Sequence, residues 1–187
     1  FFETMQRLDE FFISSHFSSH KDDALVITEE LSSLEKESAI NRASSSGKVT
    51  LLTRVFGRGT DFVCRDEIVK SNGGVHVIQT FLSEELSEET QIKGRTARQG
   101  SKGSYSMNLC EEDLEKFGIG LPELTEMRNK ASYYSVLDQK RREYFKKQYS
   151  GTDKHVQELK QKHEATRAFV TAVLNNEISQ AKQFLKE

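Results

Sequence analysis

Four short apolar runs recur along the first two-thirds of this chain, each separated from the next by enough residues for a helix. They are "ALVIT" (24–28), "KVTLLT" (48–53), "GVHVIQT" (74–80) and "GSYSMNL" (103–109). Short apolar runs separated by helix-length segments read as strands of a parallel sheet covered on both faces. The intervening segments carry helical spacing, with Met5, Leu8, Phe11 and Phe12 in one and Leu31, Leu34, Ala39 and Ile40 in another. Strand and helix in alternation predict an α/β fold, a parallel sheet with helices on both sides. Phe1 and Phe2 read as the end of one more strand. The opening "FFETMQ" has no initiator Met, as expected of a piece of a longer protein.

Beyond residue 118 the pattern changes. Pro122 suits the first turn of a helix, and from there helix is expected to the end, broken once at "SGTD" (150–153). Val156, Leu159, Val170, Leu174, Ile178, Ala181 and Leu185 recur at spacings of three and four, with His163 on the same stripe. The expectation is a helical hairpin packing on itself or on the preceding domain; a partner-binding coiled coil is the alternative. Residues 1–120 hold 14 Lys/Arg against 20 Asp/Glu, and residues 121–187 hold 13 against 9. The net charge of −2 excludes a molecule that is basic all over. Cys64 and Cys110 are too few for a disulfide framework and are expected as buried thiols. His16 and His20 lie four apart with no third metal ligand in view, so no metal site is expected.

Two glycine-arginine stretches carry the chemistry. "RVFGRGTDF" (54–62) follows the second strand, so it lies at a carboxyl edge, where open α/β sheets bind ligands. Gly57 and Gly59 flank Arg58 and allow close approach to another surface or to a phosphate. Thr60 and Asp61 offer a hydroxyl and a carboxylate, and Asp61 could take a ribose hydroxyl or pair with an arginine of the next motif. In "QIKGRTARQG" (91–100), a helical reading sets Gln91, Arg95 and Arg98 on one face, a site for phosphate oxygens. The plain alternative is a solvated helix whose arginines pair with Glu84, Glu85, Glu88 and Glu89.

Taken in order, these stretches resemble the second nucleotide-binding domain of SecA, the preprotein translocase motor. More broadly they resemble the carboxyl-terminal RecA-like domain of superfamily 2 helicases. "GRGTD" is similar to the fifth motif of that family and "QxxGRxxRQG" to the sixth, best over residues 48–117. The resemblance implies a RecA-like motor domain over residues 1–118 and a helical extension over 119–187. It implies that Arg95 and Arg98 reach the γ-phosphate of ATP, with Mg²⁺, held by the first nucleotide-binding domain of the same parent. Gln91 would order the cleft, and Gly57, Arg58, Gly59, Thr60 and Asp61 would couple nucleotide state to closure. The cargo implied is polypeptide, and the location cytoplasmic, peripheral to a membrane through partners. Arg54, Val55 and Phe56 stand where the family usually has Asn-Met-Ala, and Ala97 stands where it has glycine.

The chain carries no phosphate-cradling G-x-x-x-x-G-K-[ST] loop. Gly47 and Lys48 are followed by Val49, and Arg42 occupies the position of the first glycine. It is therefore expected to be half of an ATPase, hydrolysing nothing by itself. Two alternatives remain open at this level: a nucleic-acid helicase domain, for which "KRREYFKK" (140–147) could offer a basic surface, or an inert interaction module.

Overall fold

The computed structural model describes residues 1–98, 100–130 and 133–184. The chain divides into two compact units, Phe1–Arg142 and Glu143–Glu187.

The first unit is built on parallel strand pairs. β1 (Ala24–Ile27) pairs with β2 (Val49–Leu52), and β3 (Val75–Gln79) pairs with β4 (Gly103–Met107), both parallel. Phe1 and Phe2 lie between the two sheets. The Phe2 N–H donates to the Leu52 carbonyl and its own carbonyl accepts from Arg54 N–H, both at 2.8 Å. On the other side the Phe1 amine donates to the Ile78 carbonyl and its carbonyl accepts from Thr80 N–H. These two residues thus join β2 to β3 in the parallel sense, as a strand end would.

Side-chain alternation explains why β1 and β2 are covered on both sides. Val26 and Leu51 pack with Phe2, Leu8 and Phe17, under α1 (Met5–Ile13). Ile27 and Leu52 point the other way, to Phe56, Phe62, Leu31 and the Ala39 and Ile40 side of α2 (Ser33–Arg42). α2 opens with a capping box in which the Ser32 hydroxyl accepts from Glu35 N–H and the Glu35 carboxylate from Ser32 N–H. Leu34, expected on the buried face of α2, is 80% exposed. β3 is covered on one face only: Val77 and Gln79 are buried, whereas His76 and Ile78 face outward.

Two further helices complete the sheet region, α3 (Glu67–Ser71) before β3 and α4 (Leu86–Lys93) after it. Asp66 caps α3, accepting from Ile68 and Val69 N–H, and also takes Ser46 N–H from the loop before β2. α5 (Leu121–Lys130) has Pro122 in its first turn, and the Glu123 carboxylate reaches back to Gly120 N–H.

α6 (Tyr133–Leu174) corrects the sequence reading. No break occurs at residues 150–153, all of which are helical. A single glycine, Gly151, costs a helix about 1 kcal/mol, too little to interrupt one of 42 residues. The interruption comes instead after Leu174. There Asn176 is left-handed (φ 63°), its N–H donates to Val173 O, and Glu177 N–H donates to Ala172 O. That pairing is a Schellman stop, and α7 (Ile178–Phe184) follows it. Within the second unit Ala172 and Ala181 are buried, while Val156, Leu159, Val170, Leu174 and Ile178 are exposed. The stripe expected to pack in a hairpin is therefore open along most of its length; Leu185 lies outside the described residues.

A buried ionic cluster ties the start of α6 to α4 inside the first unit. Arg141, 2% exposed, donates to the fully buried Glu89 at 2.5 Å, and Lys93 and the Tyr134 hydroxyl meet the same carboxylate at 2.5 and 2.7 Å. Arg141 also pairs with Asp138. The "KRREYFKK" stretch thus spends one cation in the interior. Burial acts to raise the pKa of Glu89, but the hydrogen bonds from Lys93, Arg141 and Tyr134 outweigh it and hold the carboxyl below its ordinary value. Such a group stabilises the fold above the unfolded-state value of 4.5 and loses that contribution as pH falls through the folded value. Glu89→Gln is expected to cost about 3 kcal/mol in chemical denaturation, because it takes one of two observed carboxylate partners from a buried guanidinium and the charge that Lys93 meets. It should also flatten the decline in stability on acidification below pH 4.5. A double replacement, Glu89→Leu with Arg141→Met, should recover much of the loss.

Candidate functional site

β2 ends at Leu52, and the chain turns at once into a short 3-10 segment, Arg54–Gly57. The turn packs against α4. Gly57 is buried, and a Cβ placed on it would lie 2.7 Å from Ile92 Cγ1, so glycine is required there by close approach to a side chain. Arg54 makes a bidentate pair with the buried Glu88 at 2.8 and 2.7 Å, and Arg58 donates to Glu85 and Ser87 at 3.1 Å each. Gly59 has φ +68° with open space around it, as a turn demands.

α4 itself stops at Lys93. Gly94 closes it, and Arg95 and Thr96 N–H fall back on Ile92 and Lys93 carbonyls in a tightened last turn. The Thr96 hydroxyl donates to Val75 O at 2.5 Å, and Ala97 takes φ 53°. The expectation of one helical face holding Gln91, Arg95 and Arg98 is therefore corrected: only Gln91 is on the helix. The glycine withdraws helical support just where a bond to β3 is available. Gln91 is exposed, and its carbonyl accepts from Arg95 Nε at 3.1 Å. Gln99 lies outside the described residues.

The two arginines nevertheless converge on the Gly-Arg-Gly turn. Arg95 Nη1 donates to the Thr60 carbonyl, and Arg98 Nη1 pairs with the Asp61 carboxylate. The acids expected as surface partners of these arginines are taken elsewhere: Glu84 by Lys116, Glu85 by Arg58, Glu88 by Arg54, Glu89 by Arg141. Arg95 is half-buried, and burial pulls its guanidinium below the ordinary arginine value. A desolvated cation whose observed acceptors are carbonyl oxygens gains most from an incoming anion. Arg98 and Asp61 are more exposed, at 40% and 68%, so their pair is weak and exchangeable.

Other sequence candidates fall away from this edge. Cys64 is half-buried and Cys110 is exposed, against the expectation of two buried thiols. His16 and His20 sit in a 3-10 segment, Ser15–Asp23, where His20 packs on Phe17. Among the described residues no group of three or more His, Cys, Asp or Glu is placed to hold a metal ion. Nor is any described helix long and apolar enough to cross a membrane. A cavity of about 630 Å³ runs between β2 and β3 and touches Arg95, but its wall includes Phe1, Phe2, Phe11, Leu51 and Val77, an unsuitable bed for a polyphosphate. Sequence reasoning placed Glu88, Glu89 and Arg141 on solvated surfaces and missed their burial, since a carboxylate or guanidinium declares its burial only through its partner.

The architecture defines the class: a mixed α/β protein with parallel strand pairs, two arginine-bearing segments meeting beyond β2 and β3, and a long carboxyl-terminal helix. No family model matches the chain. It is 40% identical over 89 residues to protein translocase subunit SecA 2 of Rhodopirellula baltica, a match covering 46% of this chain and 13% of that protein. It is 42% identical over 74 residues to protein translocase subunit SecA of Lawsonia intracellularis (40% and 9%), and 42% over 87 to that of Halothermothrix orenii (45% and 10%). These matches liken less than half of this chain to a stretch of SecA-family translocase subunits. The chain spans about a tenth of the length of the curated relatives it matches.

Gly57→Ala is expected to push the Arg54–Gly57 turn off α4, costing about 1–3 kcal/mol by overpacking. In a double-mutant cycle with Ile92→Ala, measured by denaturant unfolding, the pair should cost clearly less than the sum of the single changes.

Proposed function

We propose that this chain is the second motor domain of a SecA-like ATPase, RecA-like over residues 1–118 and extended by helix over 119–187. It supplies arginine fingers to ATP and Mg²⁺ bound on the first nucleotide-binding domain of its parent, and couples hydrolysis to movement of polypeptide. The observation that carries this reading is the meeting of Arg95 and Arg98 with Thr60 and Asp61 at one edge. The names of its relatives, protein translocase subunits, support the cargo. The setting that follows is cytoplasmic, with membrane contact through partners.

The mechanism follows from which bonds are cheap to exchange. Asp61 holds Arg98 while no phosphate is near, and the pair is open to solvent. A triphosphate brought up by the closing partner domain carries more charge and more acceptor oxygens than one carboxylate, so it competes for the same guanidinium. Arg95 is already partly desolvated and needs little further cost to meet an anion. Its Nε bond to the Gln91 carbonyl steadies it from the end of α4. Negative charge developing on the transferred phosphoryl group is then met by two fixed cations. The bidentate Arg54–Glu88 pair keeps turn and helix together, so release of Asp61 is transmitted to the strand edge as one body.

In the intact parent, Arg98→Ala should lower ATP turnover by about 10³-fold or more, with nucleotide affinity changed only a few-fold. Turnover near the wild-type rate would end the finger assignment. Unfolded polypeptide should stimulate the wild-type rate; stimulation by single-stranded oligonucleotide instead, with a steep salt dependence, would move the reading to a helicase.

A further inference from the structure

The open stripe on α6 is a regular seam. From Phe145 the positions 145, 149, 152, 156, 159, 163, 166, 170 and 173 advance by four and three in strict alternation. Phe145, Tyr149, Val156, Leu159, Val170 and Val173 supply the apolar members, each between 38% and 51% exposed. Thr152, His163 and Thr166 complete the series and are exposed too. A period of 3.5 sustained over four heptads is the pattern of a coiled-coil face. An apolar stripe on a solvated helix is stabilised chiefly by what packs on it.

The residues beside the seam say what kind of helix that is. On one flank stand Lys146, Asp153, Lys160 and Arg167, and on the other Gln148, His155, Lys162 and Phe169. The flanks hold four cations and one acid. Two copies of this chain paired in parallel would set Lys162 of one against Arg167 of the other. Parallel self-association is disfavoured by the arrangement that favours an acidic partner. We infer that the Phe145 to Val173 face of α6 docks an amphipathic helix with apolar residues at its own seam and Asp or Glu on its flanks.

The test uses the 187-residue chain and two synthetic helices of about four heptads, each with Leu at both seam positions. One carries Glu on the flanks and the other Lys. By fluorescence anisotropy, the Glu-flanked probe is expected to bind at least about tenfold more tightly than the Lys-flanked one, and to weaken at about 0.5 M salt. Leu159→Asp, at an exposed position, should abolish that binding without changing the thermal unfolding of the chain. Lys160→Glu with Arg167→Glu should reverse the preference. Equal binding of both probes, no binding, or binding undiminished by Leu159→Asp would overturn the inference. So would sedimentation showing a dimer of the chain that Leu159→Asp disperses, since the occupant would then be a second copy.

Discussion

The contact between the Arg54–Gly57 turn and α4 holds the candidate site in one piece. It combines three features of different character: a missing Cβ at Gly57, the flat buried side of Ile92, and a bidentate guanidinium-carboxylate pair between Arg54 and Glu88. The first two set a distance and the third sets an orientation. Each arginine of the later motif reaches the earlier one only because these elements are pressed together. Arg54 thus fastens the turn to α4 with an ion pair.

A second constraint sits one helix face away. Glu89 is satisfied by Lys93, Tyr134 and Arg141 at once, and so links α4 to the first turns of α6. Consecutive residues of one helix, Glu88 and Glu89, thus serve opposite neighbours: the strand-edge turn and the long helix. A movement of α4 is felt by both. The arginine-bearing turn begins at Gly94, the residue after the last of α4.

Much of the fold was legible in the residues. The four apolar runs became the four strands, Phe1 and Phe2 pair as a strand end would, and Pro122 fell in the first turn of α5. That the two glycine-arginine stretches could meet was legible, since Asp61 was offered as a partner for an arginine of the next motif, but the helical shape given to the second was misread. Glycine at position 94 was known, yet its consequence depended on Thr96 having Val75 O within reach. The break expected at Gly151 failed for the converse reason, since nothing nearby rewards leaving the helix there.

What the sequence by itself determined was local and periodic: the strand runs, the helix start at Pro122, the order of the two glycine-arginine stretches, and an apolar stripe at helical spacing on α6. Periodicity and helix starts need only neighbours a few residues away, so they can be read without coordinates. Only the tertiary structure decided which charges are interior, where α4 ends, and that Arg98 meets Asp61 and not a glutamate of α4. Those outcomes turn on contacts between residues tens of positions apart, where desolvation and packing outweigh any preference written in the local chain.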